Sequence, residues 1–153
     1  MSPVVFDDIH FERREYDKWM AYGQSKSANV LFSVELDRRL RDEGVRSFAV
    51  HPGVIMTELA RHMNQTDIAD LQSRAPSGSL SFKSVGAGAA TSTWAATSPE
   101  LDDLGGIYLE DCGIAPVTET PDGAYGVAPQ ALDPDSAIRL WTVSEEWVEE
   151  RFA

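Results

Sequence analysis

Tyr22 and Lys26 lie four residues apart in the run Ala21-Tyr22-Gly23-Gln24-Ser25-Lys26-Ser27-Ala28-Asn29, a segment that reads as helix. Side chains at i and i+4 stack on one helix face, so an ammonium would stand beside a phenol. A neighbouring positive charge favours the phenolate and draws the phenol's pKa down from about 10 toward neutral pH. A phenol tuned in this way gives or takes a proton as a carbonyl is reduced or an alcohol oxidised. Taken alone, the pair also reads as part of an ordinary amphipathic helix with a surface lysine.

The elements that must position the pair follow in chain order. Residues 2 to 15 mix acids and bases around Phe6, Ile9 and Phe11 and read as a loop. The helix starts near Tyr16 or Asp17 and runs to about Glu43, and Gly44 supplies a left-handed cap. Its apolar residues Ala28, Val30, Leu31, Phe32, Val34, Leu36 and Leu40 fall on more than one face, which calls for burial on more than one side. Val45 to Val50 is a short apolar run bounded by Gly44 and Pro52, the pattern of a buried parallel strand. His51 to Thr57 would then lie off its carboxyl end, where open α/β sheets bind their ligands. There Pro52 stops the strand, Gly53 lets the backbone turn and a ligand come close, and Thr57 offers a hydroxyl. A plain turn is the alternative reading of Pro52-Gly53.

Residues 58 to 80 are polar and mixed, with Pro76-Ser77-Gly78-Ser79 as a breaker cluster; Met56, Leu59 and Met63 suit either a pocket lining or a core. The Ala- and Gly-rich stretch from Ser84 to Thr97 reads as a helix that approaches a sheet closely and ends at Ser98-Pro99. Ile107-Tyr108-Leu109 reads as a second buried strand, and residues 111 to 132 as a loop. Asp133 is a good N-cap with Pro134 at the first helical position. The last helix then carries Leu140, Trp141, Trp147, Val148 and Phe152 at roughly helical spacing.

Helix, buried strand and a turn Pro52-Gly53-Val54-Ile55-Met56-Thr57, in that order, resemble the second half of the short-chain dehydrogenase/reductase family. In that family a Tyr-x-x-x-Lys helix precedes a strand ending in Pro-Gly-x-Val-x-Thr, with Ile55 here in place of Val. The words Gln24-Ser25-Lys26-Ser27-Ala28-Asn29-Val30-Leu31-Phe32 and Gly106-Ile107-Tyr108-Leu109-Glu110-Asp111-Cys112 are similar to the retinol-dehydrogenase-like branch. The resemblance implies an NAD(P)-dependent oxidoreductase that interconverts an alcohol and a carbonyl by hydride transfer, with NAD or NADP as cofactor. It makes Tyr22 the general acid/base, and gives Lys26 the double task of depressing the Tyr22 pKa and hydrogen-bonding the nicotinamide ribose. Ile55 (through its backbone) and Thr57 would hold the carboxamide, and Pro52 and Gly53 would shape that wall. The substrate implied is an alcohol or carbonyl on an apolar skeleton. The tyrosine helix would pack both on the sheet and on a partner subunit.

Two family features have no counterpart. There is no glycine-rich phosphate-binding turn between a strand and a helix; Gly86 and Gly88 lie inside helix-like sequence. The catalytic serine of the family ends the strand before the tyrosine helix, and Ser2, which precedes Pro3 in a turn or extended setting, does not read as that serine. Residues 1 to 153 are therefore expected to form one partial Rossmann-like oxidoreductase domain. Its fold class is α/β, the C-terminal half of a doubly wound parallel sheet without the N-terminal dinucleotide-binding half. The alternative is a non-catalytic remnant, or a subunit that requires a separate N-terminal half. Open sheet edges would then invite a homo-oligomer or association with that half.

Composition narrows the partners. The net charge of −12 and sequence pI near 4.5 argue against nucleic acid or an anionic membrane. The denser acidic group Glu145, Glu146, Glu149 and Glu150 reads as a solvated helix face. A single cysteine, Cys112, excludes an internal disulfide and suits a reducing cytoplasm. No apolar run is long enough to cross a membrane, and no signal-peptide core is visible. His10, His51 and His62 show no metal-ligand spacing, so no metal is expected.

Overall fold

The Asp17 side chain accepts the Met20 N–H at 2.7 Å and so starts the first helix, α1 (Lys18–Leu40). A computed structural model describes residues 2–55, 64–73, 82–119 and 125–152. After α1 a tight turn of 3-10 helix (Arg41–Glu43) leads to Gly44 at φ 78°, the left-handed cap the sequence predicts. The strand β1 (Phe48–His51) begins later than the apolar run suggests. The reason is Asp37, whose Oδ1 accepts the Ser47 N–H at 3.2 Å and holds that residue back against the helix.

β1 pairs in parallel with β2 (Ile107–Glu110), in the register Phe48↔Ile107, Ala49↔Tyr108, Val50↔Leu109 and His51↔Glu110. A two-residue turn, Asp111-Cys112, then reverses the chain into β3 (Gly113–Ile114), antiparallel to β2. Both turn residues have positive φ, 48° and 55°, as a type I′ hairpin needs. This third strand falls in a stretch that reads as loop, because Asp-Cys is not a usual I′ pair. The described sheet is thus a mixed three-stranded one in the order β1-β2-β3, where only parallel strands were expected.

Between β1 and β2 come α2 (Gln65–Ser73) and α3 (Val85–Thr97). Asn64 and Asp67 cap α2 reciprocally: each side-chain oxygen accepts the other residue's N–H, at 2.9 and 3.1 Å. The polar run around this helix hid it. Ser84 caps α3 by accepting the Ala87 N–H at 3.2 Å. The final helix α4 (Pro134–Val148) has Asp133 as N-cap, accepting Ser136 N–H at 2.8 Å, with Pro134 in the first turn.

α1 does pack on two sides. Val30 meets Ala49, Ala115, Val127 and Ala131 on the sheet side. Leu31 meets Ala137 and Leu140 of α4, with Val4 and Phe6 closing the seam. The second side is therefore covered by this chain's own last helix. Two charged residues of α1 are buried as well. Glu35 receives Arg38 and Arg39, both at 2.7 Å, and its carboxyl is held below the usual range chiefly by Arg38. None of the described helices is long and apolar enough to cross a membrane, and Cys112 is exposed.

The C-terminal turn of α4 is tied by one carboxylate. Glu145 accepts the Phe152 N–H at 2.9 Å, Arg151 Nη1 at 2.8 Å and Trp141 Nε1 at 2.9 Å. These donors, the Phe152 N–H foremost, hold its pKa down to about 2 from 4.5. A depressed folded-state pKa contributes stability above the unfolded value, and that contribution is lost as pH falls through the folded value. Between about pH 4.5 and 2 the wild-type chain is thus expected to lose stability that Glu145→Gln no longer has to lose. Urea melts across that range, read by tryptophan fluorescence, check this; equal pH slopes for the two proteins would refute it.

Candidate active site

The carboxyl end of α1 meets the start of β1 through Asp37 and Ser47, so the first turns of α1 point toward the carboxyl ends of β1 and β2. Tyr22 and Lys26 occupy those turns. Both are exposed, and the Lys26 ammonium lies 5.0 Å from the centroid of the Tyr22 ring. The stacking expected from i,i+4 spacing is present, as a contact between ammonium and ring face. Among the described residues that ring is the ammonium's partner, and no carboxylate neutralises it.

Buried Gln24 organises the approach to this turn. Its Oε1 accepts the Val5 N–H at 3.1 Å and Arg14 Nη2 at 2.8 Å, and its Nε2 donates to Ile9 O at 3.0 Å. Segment 2–14 is thereby wrapped along α1. Ser2 packs beside Gly23, where a Cβ would come within 2.6 Å of its Oγ, and Ser27 Oγ donates to Ser2 O at 2.7 Å. A larger residue than glycine after Tyr22 would push this segment away.

The Pro52–Ile55 turn follows directly on β1. Gly53 has φ +85°, a left-handed conformation that glycine adopts without strain, and its N–H donates to His51 Nδ1 at 3.3 Å. The turn is as the sequence predicts, and the space a Gly53 side chain would take is occupied. The aliphatic stem of Lys83 fills it: a Cβ on Gly53 would lie 2.7 Å from Lys83 Cδ and 2.8 Å from Cε. Ile55 is half-buried and presses on Gly88 of α3, where any Cβ would collide with it. Thr57 lies outside the described residues, as do Met56, Leu59, His62 and Met63.

The parallel register puts His51, Tyr108 and Glu110 on the face of the sheet that α1 covers. The rings of His51 and Tyr108 are 6.4 Å apart and 29° from parallel. Burial pushes the Tyr108 phenol up to about 12, with Glu110 and then Tyr22 adding to the effect, so Tyr22 lies within electrostatic reach of this cluster. Burial likewise lowers the His51 pKa, and its Nδ1 accepts the Gly53 N–H. Both oxygens of buried Glu110 accept the Gly126 N–H, at 3.0 Å each, and tie the following loop to the strand end. The motifs did not point to Tyr108, Glu110 or Lys83. The alternation in Ile107-Tyr108-Leu109-Glu110 was the available signal, and which face it presented needed the pairing register.

Phenol and ammonium stand exposed at the end of α1 that points toward the strand ends, with Tyr108 within electrostatic reach of Tyr22. That set can move a proton at a substrate oxygen. An unneutralised lysine suits ribose hydroxyls, so the residues present fit the nicotinamide end of a dinucleotide. For the pyrophosphate end the described residues hold no glycine-rich turn that follows a strand and opens a helix.

The chain matches no protein-family model. It is 41% identical over 145 residues to a Streptomyces antibioticus protein named "Probable oxidoreductase", across 92% of this chain and 48% of that protein. It is 40% identical to the short-chain dehydrogenase/reductase prx1 of Penicillium rubens, across 94% and 42% of the two chains. Human retinol dehydrogenase 14 is 35% identical, across 95% and 40%. A crystal structure of an uncharacterized protein from Mycobacterium Paratuberculosis superposes with a TM-score of 0.61 at 29% identity, covering 99% of this chain and 47% of that one. The chain is thus homologous to the short-chain dehydrogenase/reductase family, as its motifs suggest, and spans about half the length of the curated relatives it matches.

Proposed function

We propose that this chain carries the proton-transfer half of an NAD(P)-dependent oxidoreductase that interconverts an alcohol and a carbonyl. The observation that carries the reading is the exposed Tyr22–Lys26 pair in the first turns of α1, the end of the helix that points toward the carboxyl ends of two parallel strands. NAD or NADP, when bound, would supply or accept the hydride. Tyr22 would give a proton to the carbonyl oxygen during reduction and take it back during oxidation. Lys26 would hold the nicotinamide ribose and keep its ammonium over the Tyr22 ring. Pro52, Gly53, the Ile55 backbone and Thr57 would line the carboxamide side. Half-buried His51 and Tyr108 would keep water from the inner side of the phenol.

Two preparations test this. The isolated chain is expected to bind NAD(P) weakly or not at all and to turn over no alcohol or aldehyde, since no glycine-rich phosphate-binding turn occurs among its described residues. Joined to the part of the Streptomyces antibioticus relative that it does not span, it is expected to gain NAD(P)-dependent turnover, followed by NAD(P)H absorbance. Micromolar cofactor binding with turnover by the isolated chain sinks the first expectation. A folded joined protein that binds cofactor but is inert sinks the second.

One observation favours a second reading, a subunit that works with a separate N-terminal half. Among the described residues the outer edge of β1 has no strand partner. Beside it runs a groove of about 650 Å³ lined by Phe48, Val50, Ala95 and Leu101. Unpaired edges of this kind attract other chains. The net charge of −12 opposes contact but is screened within about 8 Å at physiological salt. The isolated chain is accordingly expected to self-associate with rising concentration. Sedimentation at several loadings reads this, and one monomeric species throughout would count against it.

A further inference from the structure

We propose that Lys83 is a positioning residue, which holds the Pro52–Ile55 turn in its present shape from a distant point of the chain; its bearing on activity rests on the reading of that turn as the nicotinamide wall. Three contacts converge on it. Its backbone N–H donates to Val54 O at 2.8 Å, and residue 83 forms a parallel bridge with Ile55. Its stem lies against the Gly53 backbone, in the space a side chain would otherwise take. Its ammonium pairs with Asp111, the first residue after β2.

These contacts join three elements that also meet through Ile55 against Gly88 of α3 and through the β1–β2 ladder. Asp111 belongs to the positive-φ hairpin turn, and the next residue, Cys112, donates its N–H to Thr91 Oγ1 of α3 at 3.2 Å. Lys83 itself immediately precedes the Ser84 cap of α3. The turn after β1, the turn after β2 and the start of α3 therefore all meet at Lys83. Gly53 is glycine for its φ of +85°, and the flexible Lys83 stem packs into the space this leaves. The Gly53 N–H to His51 Nδ1 bond is the part of the turn most exposed to loss of this support. The ion pair contributes little, since the Asp111 side chain is 70% exposed. The stem carries the effect.

Amide hydrogen exchange and ¹⁵N spectra of the whole chain test the proposal without cofactor. Lys83→Met keeps the stem and removes the charge, and Lys83→Ala removes both. In Lys83→Ala the Gly53 amide is expected to exchange about tenfold faster, with α4 amides unchanged. The His51 Nδ1 resonance should shift as its donor is lost. In Lys83→Met the Gly53 rate should stay within about threefold of wild type, a rescue that a charge-based role would not give. Unchanged Gly53 exchange in Lys83→Ala overturns the proposal, and so does Lys83→Met behaving like Lys83→Ala. If α4 loses protection in Lys83→Ala, the Lys83→Met protein decides by the same criterion. Absent NAD(P) binding by the joined protein, together with the expected exchange pattern, would remove the nicotinamide reading and leave the brace standing.

Discussion

Tyr22→Phe, placed in the joined protein, is expected to lower turnover by about 10²- to 10⁴-fold, the range a positioned general acid/base supplies. Cofactor affinity should stay near wild type, because the ring that Lys26 contacts is retained and only the hydroxyl is lost. Lys26→Ala should differ in kind. It removes the cation over the Tyr22 ring and the group expected to hold ribose, so cofactor affinity and turnover should both fall. Steady-state kinetics with parallel cofactor titrations separate the two variants. Near-wild-type turnover by Tyr22→Phe would end the assignment of Tyr22 as acid/base. Loss of cofactor binding in that variant would instead make Tyr22 a binding residue.

Asp37→Ala is expected to destabilise the fold by about 3 kcal/mol, in the range for breaking a buried ion pair. The Asp37 side chain is fully buried. Oδ1 accepts the Ser47 N–H at 3.2 Å and lies 3.3 Å from Arg46 Nε, while Oδ2 lies 3.1 Å from Arg41 Nη2. Arg41 is half exposed and contributes little. The cost comes from the Ser47 N–H left without its acceptor and from the lost ion pair with Arg46, whose guanidinium keeps the Leu104 carbonyl at 2.7 Å. Gly105 packs against the same carboxylate so closely that a Cβ there would overlap it, so the strand lead-ins to β1 and β2 are both set by this side chain. Asp37→Asn keeps an acceptor for Ser47 and should cost roughly half as much. Urea unfolding of the three proteins measures this, and an alanine variant within about 0.5 kcal/mol of wild type would contradict it.

What could be read from sequence was what local geometry controls. Tyr22 and Lys26 meet because 3.6 residues per turn puts positions four apart on one face whatever surrounds them. Asp17, Ser84 and Asp133 cap helices because their short side chains reach an N–H two or three residues on. Gly44 and Gly53 mark left-handed positions that other residues resist. The strand at 107–110 and the Pro52–Gly53 turn after β1 followed from the same local signals.

Tertiary structure decided everything that depends on register and on contacts between distant segments. Alternation along β2 is visible in its residues, but only pairing with β1 turns Tyr108 and Glu110, with His51, toward α1. The Asp111-Cys112 turn and β3 were hidden because neither residue is a usual I′ former, and the hairpin is held by pairing with β2 and by Thr91 of α3. Nothing in the sequence places Lys83 beside Gly53; folding does, because the segment before α3 returns alongside the turn. The chemistry of Tyr22 and Lys26 is thus local and legible, whereas the shape of the surface facing them is set by side chains that only the fold brings together.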